Sequence, residues 1–290
     1  MSYAYRNSVK SELSDELINT YVIRPIAGVV VRMMYRTSMS PNQVTMVSIF
    51  AGFAAAAAYL QNSPSAFILA GILVTCKDIL DSADGQLARA KNQFSRSGRF
   101  LDSIGDFLVN AALFFSIGKV LFEQSGISMM YVIAAVGFAG TTLRVSYHVY
   151  YQTRFLHLHE KYGNNRITED VRKEDVERGG RELQLQRVFQ IIYGWQDRLM
   201  LRIDLWCIGQ VIRQSGLQRE EWYSDVKALR LSGLLGLGTE LFLLTVCSLL
   251  NGLFLYCFLN IIMMNGIFML SVFYRKLILS RNVFTERNGN

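Results

Sequence analysis

The chain has 290 residues, 51% of them hydrophobic and 18% charged, with three prolines and a formal net charge of +7. This is too apolar for an ordinary soluble domain of that length. The positive balance gives no footprint for nucleic acid, because the most polar stretch, residues 151 to 228, mixes thirteen Lys or Arg with twelve Asp or Glu and shows no basic patch.

In chain order, residues 16 to 36 read ELINTYVIRPIAGVVVRMMYR. Arg24, Arg32 and Arg36 stand among branched apolar residues there, which predicts an amphipathic helix lying in a membrane interface or packed on a helical bundle, bent or restarted at Pro25. Ser40-Pro41-Asn42 marks a helix start. Residues 43 to 61 then run without a charge over a length that matches the ~20 residues needed to cross hydrocarbon. About forty residues precede that run, which argues against a cleaved signal peptide. Similar runs follow at roughly 65 to 80, 103 to 122, 127 to 150, 231 to 251 and 253 to 273, giving six expected spans interrupted by Lys77, Asp78, Arg144 and Glu240.

Basic residues cluster before the first span, after the second (Arg89, Lys91, Arg96, Arg99) and after the sixth (Arg275, Lys276, Arg281). By the positive-inside rule both termini and these segments are cytoplasmic. Much of the net charge is therefore a topology signal, available also to anionic lipid or a phosphorylated substrate. The expected architecture is an all-α integral membrane protein. It comprises an interfacial segment (1–42), four transmembrane helices (43–150), a cytoplasmic insertion (151–228), two more transmembrane helices (229–275) and a tail (276–290).

Within the insertion, residues 163 to 182 are glycine-flanked and charge-rich, which predicts an exposed loop or short polar helices with ion-paired surfaces. Leu185, Val188, Ile192, Trp195, Leu199 and Trp206 recur at helical spacing, predicting a helix on the membrane surface or against the bundle. The four cysteines, at 76, 207, 247 and 257, have no paired spacing and are expected to be buried reduced thiols. His148, His157 and His159 have no evident partner and are expected at surfaces or interfaces.

The chemistry concentrates in DSADGQLARAKNQFSRSGRFLDSIGD, residues 81 to 106. Asp81 and Asp84 are three apart and Asp102 and Asp106 four apart, so on helices each pair shares a face. The pairs fall at the end of the second span and the start of the third, so antiparallel helices bring them together. Four carboxylates beside hydrocarbon stay ionised only with a compensating cation, and Arg89 alone is too little. Oxygen donors, with no His or Cys at ligand spacing, point to Mg²⁺ or Mn²⁺ and to phosphate chemistry rather than to zinc. Gly85, Ala88 and Gly98 leave room for a ligand near the helix backbones, and Arg89 offers a forked donor to phosphate oxygens.

The pattern D-x2-D-G-x2-A-R-x8-G-x3-D-x3-D, carried by Asp81, Asp84, Gly85, Ala88, Arg89, Gly98, Asp102 and Asp106, resembles the signature of the CDP-alcohol phosphotransferase family. Pro41, Asn42 and Thr45 are similar to a P-N-x-x-T element near the nucleotide site in family members. The insertion lies outside the likeness, and Lys77 and Asp78 are more polar than the pattern leads one to expect.

The resemblance implies two divalent metals, Mg²⁺ or Mn²⁺, on Asp81, Asp84, Asp102 and Asp106. It also implies a CDP-alcohol donor, an acceptor alcohol, release of CMP, Asp106 as general base, a cytoplasmic site in contact with membrane lipids, and a homodimer. Arg144 is expected either to bind an acceptor phosphate or to pair with Glu240. The rival readings are an intramembrane Mg²⁺-dependent prenyltransferase, for which a second separated aspartate cluster is missing, and an ion-coupled secondary transporter, for which repeated halves are missing.

Overall fold

The computed structural model describes residues 16–159, 166–214 and 219–279, and every regular element among them is helical. A π-helical turn, Asn19–Ile23, leads into α1 (Arg24–Met34). The register changes next to Pro25, which has no N–H to donate four residues back; the N–H of Arg24 reaches the carbonyl of Asn19, five residues back. α1 packs through Ala27 and Val31 onto Val44, Ala83 and Leu87. That face carries Arg24 inward, so Arg24 is buried rather than among headgroups, while Arg32 and Arg36 are exposed.

α2 (Pro41–Tyr59) opens with a reciprocal cap, in which Ser40 Oγ accepts from the Gln43 N–H and Gln43 Oε1 accepts from the Ser40 N–H at 2.8 Å. α3 (Pro64–Lys91) stops at Asn92, whose φ of 53° is left-handed. α4 (Arg96–Ser125) starts at once, because Ser95 Oγ accepts from the Gly98 N–H at 3.0 Å. This short connection folds α4 back along α3. After Gly126, α5 (Met129–Leu158) returns in the same way.

Among the described residues, four stretches are helices long and apolar enough to cross a membrane: α4, α5, Val226–Leu249 and Leu253–Leu277. The third of these, which follows the short α8 (Arg219–Ser224), joins α9 (Val226–Gly233) to α10 (Leu237–Leu249), and the fourth joins α11 (Leu253–Phe258) to α12 (Met264–Phe273) through a π-helical turn, Leu259–Met263. The expected spans at 43–61 and 65–80 are helical but fall outside that set. α2 begins with the polar side chains of Asn42, Gln43 and Thr45, and α3 carries Lys77, Asp78, Asp81 and Asp84 along its length. Leu108, Phe115, Val136, Phe242, Phe258 and Leu270 point outward from the four, as apolar side chains facing hydrocarbon would. Inside, Tyr59, Phe67, Leu113, Phe114, Ile117, Leu244 and Tyr256 form one core.

Polar contacts bridge the apolar helices. Arg144, 1% exposed, pairs with Glu240 at 3.0 Å and is supported by Asn265 at 2.8 Å and Thr141 at 3.1 Å. Glu240 also accepts from Tyr256 and from Asn260 on the π-helical turn. Of the two roles expected for Arg144, the structure places it in the ion pair. His148 is buried rather than at a surface, because α9 lies over it, with Ser232 Oγ 3.4 Å from its Nδ1. Cys207, Cys247 and Cys257 are buried free thiols, whereas Cys76 is exposed, contrary to expectation, on an outward face of α3.

The insertion is built onto this frame. α6 (Lys173–Arg178) and residues 166–172 form a strap over the start of α4. Arg96 binds Glu169 at 2.7 Å and Asp175 at 2.8 Å, Arg99 also binds Glu169, and Arg166 binds Asp175 at 2.7 Å. These charges, expected to be solvated, tie elements together, and Glu169 and Asp175 are buried. Hydrogen bonds from Arg166 first, and then from the Arg172 N–H, Arg96 and Gln186, hold Asp175 well below the usual carboxylate range. A depressed folded pKa stabilises the fold above the unfolded value and loses that contribution as pH falls. The melting-temperature gap between wild type and Asp175→Asn is therefore expected to stay constant from neutral pH down to about 4 and to narrow below it. A gap unchanged at pH 3 would contradict the strap.

α7 (Gly180–Gln214) follows, interrupted at Gly209, whose φ of 69° suits glycine. Val188, Ile191, Trp195 and Trp206 point outward, while the polar Gln186, Gln196 and Asp204 point in. Asp204 accepts from Tyr150, Tyr151, Trp222 and Tyr223 at 2.7 to 3.2 Å, which reconciles the carboxylate with its burial. Of the six expected apolar positions, Val188, Trp195 and Trp206 are exposed and Leu185, Ile192 and Leu199 are partly buried.

Candidate active site

The α3–α4 hairpin sets the site. Carboxylate oxygens of Asp81, Asp102 and Asp106 lie within 4.8 Å of one another, each residue only partly buried. The hairpin thus joins one member of the first pair to both members of the second. Asp84, the fourth, lies deeper and accepts a hydrogen bond of 2.5 Å from Thr45 Oγ1. Thr45 is one turn into α2, and its hydroxyl also lies 3.2 Å from the Pro41 carbonyl. The P-N-x-x-T element and the aspartate signature are therefore in contact.

Gly98 lies directly against Asn42. A Cβ built at position 98 would collide with Asn42 Oδ1 and would stand 2.6 Å from Ser95 Oγ. At Gly85 the nearest atoms to such a Cβ are the Arg89 guanidinium nitrogens, at 3.5 and 3.6 Å, an ordinary contact. Position 85 thus has room for a methyl group that would project beside Arg89. Gly85→Ala is expected to melt like wild type, whereas Gly98→Ala is expected to lower the melting temperature. Equal stability of the two variants would contradict the packing at Gly98.

One residue of the cluster escaped the reading of the sequence as a site residue. Lys77, 2% exposed, sends its ammonium to Asp106 and stands 3.7 Å from Asp81. The available signal was its spacing of four from Asp81, which puts both on one face of α3. Its backbone carbonyl accepts from Ser48 Oγ at 2.9 Å. Asp78 is also buried. From the insertion, Tyr193 donates to the Ser103 carbonyl at 2.7 Å, and its ring meets those of Phe107 and Phe189. α7 is in this way tied to the helix that carries Asp102 and Asp106. A cavity of about 520 Å³ borders Asn42, Met39, Met46 and Leu101. A second, of about 370 Å³, lies between Phe107, Phe138, Ile191 and Trp195.

Oxygen donors from two helices, grouped this closely and partly open, suit a hard divalent cation and a phosphate-bearing ligand. Residues 38–161, which contain all of these aspartates, match the family described as CDP-alcohol phosphatidyltransferase. Among curated proteins it is similar to an archaetidylinositol phosphate synthase of Pyrococcus horikoshii, 41% identical over 80 residues, which are 27% of this chain and 40% of that one. It is also similar to proteins named bifunctional IPC transferase and DIPP synthase. The one from Archaeoglobus fulgidus is 36% identical over 95 residues, 33% of this chain and 18% of the relative. The one from Thermococcus kodakarensis is 30% identical over 142 residues, 49% of this chain and 31% of the relative. Each match therefore takes in less than half of the relative's own length.

Proposed function

We propose that the protein is a membrane-embedded phosphotransferase that moves a substituted phosphate from a CDP-linked alcohol to an acceptor hydroxyl and releases CMP, in the synthesis of a phospholipid or related phosphodiester. The observation that carries this is the convergence of Asp81, Asp102 and Asp106 within the segment that matches the family.

Asp81, Asp84, Asp102 and Asp106 would hold two divalent ions, Mg²⁺ or Mn²⁺, which when bound supply charge neutralisation to the diphosphate and its leaving group. Arg89, with Gly85 leaving space beside it, grips donor phosphate oxygens; Ala88 and Gly98 keep the neighbouring helix surfaces low, and Asn42 and Thr45 border the nucleotide. Asp106 takes the proton of the acceptor hydroxyl as its oxygen attacks the donor phosphorus and the bond to CMP breaks. In this reading six helices span the membrane, α2 and α3 among them, both termini and the site are cytoplasmic, and the segment at 16–36 lies in the interface. The names of the relatives make an inositol phosphate the first acceptor to try.

The test is CMP release by purified protein in detergent with Mg²⁺ or Mn²⁺, over a grid of CDP-alcohols and acceptors that includes inositol phosphate. Metal-dependent CMP that requires one donor and acceptor pair is expected. A folded protein that binds neither cytidine nucleotide nor metal would overturn the proposal.

A further inference from the structure

We propose that Lys77 is a resident counter-cation of the aspartate cluster and competes with divalent metal for Asp106. This rests on the cluster being the metal site of the proposed function. The residue is fully enclosed, yet its ammonium is not in a pocket of its own; it touches Asp106 and stands 3.7 Å from Asp81. Two of the three carboxylates that converge are thus already facing a fixed positive charge.

A protonated lysine has three donors and no lone pair, so it joins the cluster only as a rival to a metal ion and never as a ligand. Its enclosure leaves the side chain little room to withdraw. A divalent ion arriving among Asp81, Asp102 and Asp106 meets this charge at a few ångströms, where repulsion is poorly screened. Metal binding is weakened as a consequence, most of all at Asp106. A diphosphate brings negative charge of its own and restores the balance, so the metal is held firmly only when the nucleotide is present.

The test is a titration of Mn²⁺ into the detergent-solubilised full chain, without nucleotide, followed by the loss of free Mn²⁺ signal in electron paramagnetic resonance. Lys77→Met keeps most of the side-chain length and removes the charge; it is expected to bind Mn²⁺ at least about tenfold more tightly than wild type. Lys77→Arg keeps the charge and is expected to keep the weak binding. Lys77→Met that binds Mn²⁺ no more tightly than wild type would overturn the proposal.

Should Lys77→Met fail to fold, Asp106→Asn decides. If Lys77 competes for Asp106, the strongest Mn²⁺ site, on Asp81 and Asp102, remains within about threefold and only weaker binding is lost. Loss of all Mn²⁺ binding would make Asp106 the principal ligand and exclude a lysine that displaces metal from it. Because no nucleotide is present, an unshifted Lys77→Met with normal CMP release removes only this proposal. A shifted affinity in Lys77→Met, with no CMP release by the wild type, removes only the reaction.

Discussion

Asp106→Asn is expected to lower the initial rate of CMP release by about 10³-fold, with no recovery at high Mn²⁺. The amide keeps the volume of the carboxylate but cannot take a proton from an acceptor hydroxyl, so the part of the loss that high Mn²⁺ does not restore belongs to the chemical step. Asp81→Asn gives the contrast: a lost ligand weakens metal binding, so part of its deficit is expected to return as Mn²⁺ is raised. Both substitutions also remove a negative partner from the buried Lys77, at 3.7 Å for Asp81 and in direct contact for Asp106. A melting curve must therefore accompany each rate, so that lost fold is separated from lost turnover. If Asp106→Asn retained a tenth or more of wild-type turnover, Asp106 would not be the base.

The largest loss of stability is expected at the Arg144 and Glu240 pair. The two side chains are 1% and 3% exposed, and each has further polar partners. Glu240→Ala leaves a guanidinium in the bundle with only Asn265 and Thr141, and breaking a buried pair in this way costs about 3 to 5 kcal/mol. Removing both charges is a different matter, because neither ion then needs to be taken out of water. Arg144→Met with Glu240→Met is expected to recover most of the melting temperature lost in either single variant. The same double variant tests the acceptor role once considered for Arg144. If the pair only braces the helices, the refolded double variant turns over CDP-alcohol; if the guanidinium binds an acceptor phosphate, it is stable and inactive.

The helices and the aspartates were legible because their signals are local. Apolar runs mark α2, α4 and α5, and a spacing of three or four residues places Asp81 with Asp84 and Asp102 with Asp106 on shared faces. The connection at 92–95 could be anticipated from a left-handed Asn and a capping Ser, and it supplies the antiparallel return on which the site depends. What local spacing does not carry is the choice among partners distant in sequence. Nothing near Asp84 announces that its carboxylate accepts a hydrogen bond from Thr45, 39 residues away.

The same holds for Lys77, which looked like an interruption of a span and sits against Asp106, 29 residues on. His148 and Arg24 were misjudged for a related reason: a polar side chain in an apolar helix was assigned to the surface when a neighbouring element covers it. In the insertion, helical period identified α7 correctly. Its inward face nonetheless carries Gln186, Gln196 and Asp204 beside Met200 and Cys207, and these polar residues hydrogen-bond to neighbours that the apolar pattern does not mark.

The strap formed by Arg96, Arg99, Glu169 and Asp175 bears on how this protein can be taken apart. Arg96 and Arg99 stand within two turns before Asp102, on the same helix, and their acidic partners are some seventy to eighty residues further along the chain. An insertion fastened in this way is not a detachable module. A shortened chain that lacks residues 166–182 leaves two arginines without their partners at the very start of the catalytic helix, so trimming toward a minimal enzyme would loosen the part it was meant to preserve. Chimeras with relatives that lack the strap would have to exchange both arginines together with the segment that answers them.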